Sequence, residues 1–424
     1  MEKTKVVITG LGAISPAGTG VDAVWEVASK GIAQGELITM FDVSGNRSRV
    51  CAQCNQFLPE KSAVNSSKLL DKDKVIQYAI VAGAEAWRHA GLDISQLNPS
   101  RVGVTIGTAV GGVETMEQYF RRAVVKKGRS KPDYVTLAPT ILNPKLFYGF
   151  LASSPASEVA KYFNASGYIS AVTTGCTAGI DSIGVGVDLI EQDMADVVIA
   201  GASEAPFTPI VLTAFDNIHC LTRKNHDPMH ASRPFDRLRD GFLLGEGAGI
   251  LILESEKHAK KRGVQILAEV KGYASLSNAF HMTALSEQGD VQALTIKKAL
   301  IRANLNPEQI NYYNAHGTST PQNDVSETNA FKQVFGDYAY HLPISSTKSV
   351  IGHALGAASA IASVVCIKAI CENLIPPTAN YQERDPNCDL DYVPNTARER
   401  PLKYVGCNAS GFSGIHSAII YGCA

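Results

Sequence analysis

Short apolar, β-branched runs alternate with helix-patterned stretches along nearly the whole chain, and that alternation restricts the fold more than any single motif. Lys5 to Thr9, Val102 to Ile106, Ala195 to Ala200 and Gly249 to Leu253 read as buried strands. Val75 to Ala90, Ile180 to Glu191 and Val291 to Ala303 read as helices, with apolar residues three and four apart. Continuous apolar strands separated by helices predict an α/β fold whose sheet is covered on both faces. No short-period repeat or low-complexity linker divides the chain. From about Ile266 the pattern starts again, with a strand-like run, a long helix, a strand and loop at Gln309 to His316, and a small-residue helix after His353. Two duplicated α/β halves, 1–265 and 266–424, fit this order.

Composition narrows the setting. The 424 residues are 45% hydrophobic and 19% charged, which supports an ample core. Lys and Arg number 39 against 40 Asp and Glu, so no charge excess points to nucleic acid or an anionic membrane. The first ten residues lack the apolar core of a signal peptide, and runs such as Ile361 to Ile367 fall short of the roughly 18 residues of a span. Nine scattered cysteines, an odd number, suit free thiols in a reducing compartment. A soluble, cytoplasmic protein is expected.

Cys176 is the residue with the most chemical promise. A β-branched stretch precedes it, and Ile180, Ile183, Val187 and Ile190 after it mark one face of a helix. Gly175, Thr177, Ala178 and Gly179 permit a tight turn that leaves the sulfur near the helix N-terminus. Free N–H groups and the helix dipole there lower a thiol's pKa and make it a nucleophile for acyl transfer. A small buried apolar cysteine fits the same local pattern.

Two more segments carry chemistry. Asn314 to Asp324 presents His316 at the end of a strand-like run, in a loop of Gly, Ser, Thr and Pro. Ser345 to Ala360 presents Lys348 and His353 on a loop entering a helix. Two histidines beside a cysteine suit hydrogen bonds to an enolate oxygen while the cysteine carries an acyl group. A hydrolytic triad would call for one histidine with a carboxylate or amide. Other motifs are weaker: Cys51-Ala-Gln-Cys54 lacks a second zinc-spaced pair, and Gly10 to Ser15 has Ser where a dinucleotide fingerprint needs its third glycine. The Lys68 to Lys74 run reads as a solvated helix start or a docking element for an acidic partner.

Taken together, these segments resemble the β-ketoacyl synthases of the thiolase-like condensing enzymes. The likeness runs through Val6 to Gly12, Gly107 to Gly112, the Cys176 turn, Ser232 to Asp236, Arg239 to Gly249, His316 to Thr320, Lys348, Gly352 with His353, and Gly411 with Phe412. It implies a five-layer αβαβα fold, a dimer, and a Cys176–His316–His353 site. It further implies Phe412 as a gate and partner to an oxyanion hole, Thr318 and Thr320 as ligands of a phosphopantetheine arm, and Val110 as an acyl-pocket residue. Substrates would arrive on an acyl carrier protein, with no cofactor or metal of the enzyme's own.

Details at Thr174 to Asp181, Ala205 to Pro209, His226 to Gly241, Cys388 to Pro394, Ala397 to Arg400 and Ser410 to Phe412 resemble the ketosynthase α subunit of type II aromatic polyketide synthases. Such subunits pair with a chain-length-factor subunit that has lost its cysteine. A homodimeric fatty-acid synthase and a non-catalytic scaffold subunit are the competing readings. A thiolase would need a second catalytic cysteine, and neither Cys407 nor Cys423 has that context. The chain departs from the family at Ala362, where a glutamate usually pairs with the active-site lysine. Asp324 and Glu327 are the candidate anions for Lys348 instead. His416 has no role in this reading.

Overall fold

The computed structural model describes residues 4–58, 64, 69–125 and 146–424, so Lys68 lies outside the described residues. Ten strands carry the architecture: β1 Val6–Ser15, β2 Val102–Gly107, β3 Ile169–Val172, β4 Val197–Glu204, β5 Gly247–Ser255, β6 Ala268–Ser277, β7 Tyr312–Asn314, β8 Ile344–Ser345, β9 Tyr404–Gly411 and β10 Ile415–Gly422. The main helices are α1 Lys74–His89, α2 Ser154–Phe163, α3 Ala178–Glu191, α4 Asp290–Ala303, α5 Pro321–Phe335 and α6 Leu355–Glu372.

Strand order across the sheet is β3-β2-β4-β5-β1, continuing β6-β10-β9-β7-β8. Counted in chain order from its own first strand, each set of five places its third strand outermost, then its second, fourth, fifth and first. Pairing repeats as well. The second strand is parallel to both neighbours, whereas fourth to fifth and fifth to first are antiparallel. The two sets meet where Val6, Val7 and Ile8 of β1 pair antiparallel with Val270, Glu269 and Ala268 of β6. A duplication too faint to read as self-similarity in the sequence is plain in the hydrogen-bond pattern, which depends on strand order and not on side-chain identity.

Five layers follow from the packing. Helices α1 and α2 cover one face of the first set, and α4 and α5 one face of the second. Helices α3 and α6 lie between, packed on both sets. That position explains α6: its 18 residues have a mean hydropathy of 1.7 and are mostly buried. It is long and apolar enough to cross a membrane, but here it is a core helix enclosed on all sides.

The Gly10 to Ser15 run lies inside β1. Its glycines let α1 pack directly on the strand, since a Cβ on Gly12 would sit 1.8 Å from the Ala82 carbonyl oxygen. All nine cysteines are free. Cys51 and Cys54 are buried, and among the described residues no cluster of His, Cys, Asp or Glu could hold a metal.

Candidate active site

Cys176 occupies the turn between β3 and α3. Gly175 takes φ +63°, a left-handed conformation that glycine adopts without cost, and the chain then enters the 3₁₀ turn Gly175–Thr177. The turn is pinned from inside by Asp181, which is 3% exposed. Thr174 and Thr177 donate their hydroxyls to Asp181 Oδ2. Tyr273 of β6 and Ser417 of β10 donate to Oδ1. One carboxylate therefore ties both flanks of Cys176 to the second half of the molecule.

The backbone N–H groups of Cys176 and Phe412 both lie near enough to the sulfur to favour its thiolate. Gly411 makes this approach feasible, since a Cβ there would come within 3.3 Å of the Cys176 nitrogen. Two N–H donors converging on one point are the geometry of an oxyanion hole. Phe412 is 36% exposed and rests against Phe215, with ring centroids 6.2 Å apart.

His316 follows β7, in a loop held by two carboxylates of α5. Glu327 accepts from the backbone N–H of His316 at 2.7 Å and of Gly317 at 2.8 Å, and from Asn408 Nδ2 at 2.8 Å. Asp324 accepts from Thr318 N at 3.1 Å and from Phe235 N at 2.8 Å. Beneath them the buried Arg239 pairs with Asp385 at 2.6 Å and lies 3.6 Å from Asp324. Phe235 and Arg239, from the Ser232 to Asp236 and Arg239 to Gly249 segments, thus scaffold the His316 loop. Burial holds the Glu327 carboxyl up at about 7, partly offset by the N–H groups it accepts from.

His353 follows the short helix Lys348–Ile351 and Gly352 at φ +68°. Its N–H donates to Leu243 O at 2.7 Å and its carbonyl accepts from Gly245 N at 2.9 Å. Its ring meets Phe242 edge-on at 5.1 Å and His316 at 5.4 Å, nearly perpendicular. Burial, with the Lys348 charge, pushes both imidazoles well below their ordinary pKa, so both are neutral. The Nδ1 atoms of both rings are buried without a partner among the described residues. An orphaned buried N–H is rarer than an orphaned acceptor, so we assign the proton of each ring to Nε2.

Cys176, His316, His353, Thr318, Thr320 and Phe412 all line one cavity of about 260 Å³. Thr318 and Thr320 share a 2.8 Å hydroxyl contact. Two residues named from the sequence stand elsewhere. Val110 does not line this cavity; it packs half-buried against the apolar cluster that includes Leu355 and Phe242. Lys348 is buried outside the lining, its pKa lowered first by burial, with Cys407, Glu327, Cys176 and Asp324 opposing that shift. Asp324 and Glu327 are spent on backbone N–H groups, and neither forms an ion pair with Lys348.

The thiol departs from expectation. Burial pushes Cys176 up to about 11, with Glu204 adding to the rise and Lys348 and the two N–H groups only partly offsetting it. Helix-end dipoles act weakly against that desolvation. Reasoning from sequence also passed over Asp181, Glu204, Phe215, Phe242 and Leu355. The available signal was a lone acid in an apolar setting, as at Asp181 on α3 and Glu204 at the end of β4.

The pattern of the family "Beta-ketoacyl synthase, N-terminal domain" matches residues 3–259, and that of its C-terminal domain matches residues 267–382. The chain belongs to the β-ketoacyl synthase family. This β-ketoacyl synthase is 43% identical to the tetracenomycin polyketide synthase ketoacyl synthase alpha subunit of Streptomyces glaucescens, over 98% of this chain and 96% of that protein. Its fold matches a type II polyketide synthase ketosynthase, bound to the hexaketide and in complex with its acyl carrier protein, with a TM-score of 0.92, 39% identity and complete coverage of both chains. It also matches the ishigamide ketosynthase/chain length factor, with a TM-score of 0.90, 33% identity and complete coverage of both chains. The thiolase-like architecture and the condensing, acyltransferase class are those of this family.

Proposed function

We propose that this chain is the catalytic α subunit of a type II polyketide synthase, performing decarboxylative Claisen condensation on carrier-bound substrates. The convergence of Cys176, two neutral histidines and two backbone N–H groups on one cavity carries the reading. Cys176 sulfur attacks the acyl thioester, the N–H groups of Cys176 and Phe412 receive the oxyanion, and the phosphopantetheine thiol departs with the proton the cysteine gives up. Malonyl thioester then loses CO₂, and His316 and His353 donate Nε2–H to the enolate oxygen. The enolate carbon attacks the Cys176-bound acyl carbon, the Cys176 sulfur leaves, and the chain is two carbons longer. Thr318 and Thr320 hold the phosphopantetheine arm, and no cofactor of the enzyme's own enters.

The partner is a cysteine-less chain-length-factor subunit. Strand β3 ends the sheet beside the nucleophile turn, with Tyr168 and Ile169 exposed, so among the described residues its outer edge is unpaired and open to a second chain. The free thiols support a reducing, cytoplasmic setting.

Co-expression with a cysteine-less homologue, followed by incubation with acyl and malonyl carrier protein, tests the assignment by mass spectrometry. Cys176 acylates in the wild type, and Cys176→Ala folds but does not elongate. An unacylated Cys176 in the assembled complex would sink the enzyme reading. Elongation of fatty acyl carrier protein by this chain alone would sink the polyketide reading.

A further inference from the structure

Glu204 ends β4, is fully buried, and accepts four hydrogen bonds from uncharged donors. Its Oε1 receives Thr108 Oγ1 at 2.9 Å and Val110 N at 3.2 Å. Its Oε2 receives Ala109 N at 2.6 Å and Gly356 N at 3.0 Å. Three of the four donors are backbone N–H groups, whose positions are set by the path of the chain. The carboxylate therefore joins two distant segments: the turn after β2 and the first turn of α6.

The second of these is a strained place. Leu355 has φ +42°, in the left-handed region that disfavours a side chain as bulky as leucine. Its side chain lines the catalytic cavity two residues beyond His353. Such a conformation persists only where the surroundings over-determine it. The bond to Glu204 falls on the very next residue. Gly356 is there to admit it, since a Cβ would stand 2.7 Å from Oε2.

We propose that Glu204 is a positioning residue for the condensation: its carboxylate holds Leu355 left-handed, and so keeps the His353 end of the cavity in register with Cys176. The inference rests on condensation at Cys176. A carboxylate suits this set, because each oxygen accepts twice. A glutamine must turn its NH₂ either on Ala109 N and Gly356 N or on Val110 N and the Thr108 hydroxyl, and either way at least one backbone N–H, which unlike a hydroxyl cannot turn away, loses its acceptor.

The test uses the full chain assembled with its partner subunit. Glu204→Gln lowers the elongation turnover by about tenfold or more, because misplacement by a fraction of an ångström suffices for that, and leaves KM for the acyl carrier substrate within about twofold. The same substitution is then made in a Leu355→Gly background. Glycine takes φ +42° without strain, so there Glu204→Gln lowers the turnover distinctly less, and the two changes are non-additive. An equal loss in both backgrounds, or wild-type turnover in Glu204→Gln, overturns the proposal. If the glutamine variant does not assemble, Glu204→Asp, one methylene short of spanning both segments, goes through the same comparison under the same criteria. A wild type that never elongates counts against the condensing site, whereas a working wild type matched by its Glu204 variant counts against Glu204 alone.

Discussion

The loop after β2 and the loop after β7 occupy the same place in the two halves, each following the second strand of its set of five. Each is gripped by one buried glutamate that accepts backbone N–H groups. Glu204 takes Ala109 and Val110, and Glu327 takes His316 and Gly317. The first loop carries Val110, packed in an apolar cluster, and the second carries His316 in the cavity it shares with Cys176 and His353. Glu204 ends β4 whereas Glu327 lies on α5, so the two halves hold the corresponding loop with the same residue type set on different elements. The Cys176 turn is held differently, because the four donors to Asp181 are all hydroxyls. A hydroxyl can re-aim its proton, and a backbone N–H cannot. The His316 loop should therefore tolerate a change of anchor far less than the Cys176 turn does.

Glu327→Gln should have the largest effect. Its amide would face backbone donors that have no other acceptor, the His316 loop would shift, and one enolate donor would be lost. Elongation should fall by about 10²–10³-fold, measured as turnover on malonyl carrier protein. Activity within a few-fold of wild type would show that the loop does not depend on its carboxylate.

The next effect sharpens the electrostatics of the first half. With Cys176 at about 11 against 9.0 for a free thiol, the folded protein keeps its proton over that interval and an unfolded chain does not. Iodoacetamide should alkylate Cys176 half-maximally near pH 11, and its thiolate fraction at neutral pH is about 100-fold below that of an unperturbed thiol. By the same linkage the thiol's contribution to stability is present below pH 9 and is lost as pH rises toward 11. Half-maximal alkylation at or below pH 8 would mean that Lys348 and the turn's N–H groups outweigh burial.

Asp181→Asn should have the smallest effect. The hydroxyls of Thr174, Thr177, Tyr273 and Ser417 can each donate to or accept from the new amide, so acylation of Cys176 should slow by less than about tenfold. Acylation would be followed by mass spectrometry over time. A loss as large as that of Glu327→Gln would mean that Asp181 acts through its charge and not its geometry.

Much of this is legible in the amino-acid sequence. Strand and helix patterning marked α1, α3 and α4 to within a residue or two of their observed bounds, because each buries one continuous face. Cys176, His316 and His353 stood out because each lies among small and glycine residues, where a loop leaves a rigid scaffold. The anchoring acids were less legible. Nothing in the sequence around Glu204 says that its partners lie near residues 109 and 356, since such contacts are made only when the chain is layered.

The α/β class and the family likeness were readable along the chain, and Cys176, His316 and His353 were the candidates it offered, since periodicity and local motifs are local properties. The tertiary structure alone decided their electrostatic state. Whether Cys176 is a ready thiolate or a protonated thiol depends on how deeply it is buried and on which charges share its cavity, and desolvation outweighs the helix end that the sequence displays. It also placed Val110 and Lys348 outside the cavity lining, and it gave Asp324 and Glu327 to backbone N–H groups. Burial and donor geometry belong to the packed molecule, and no stretch of the chain carries them alone.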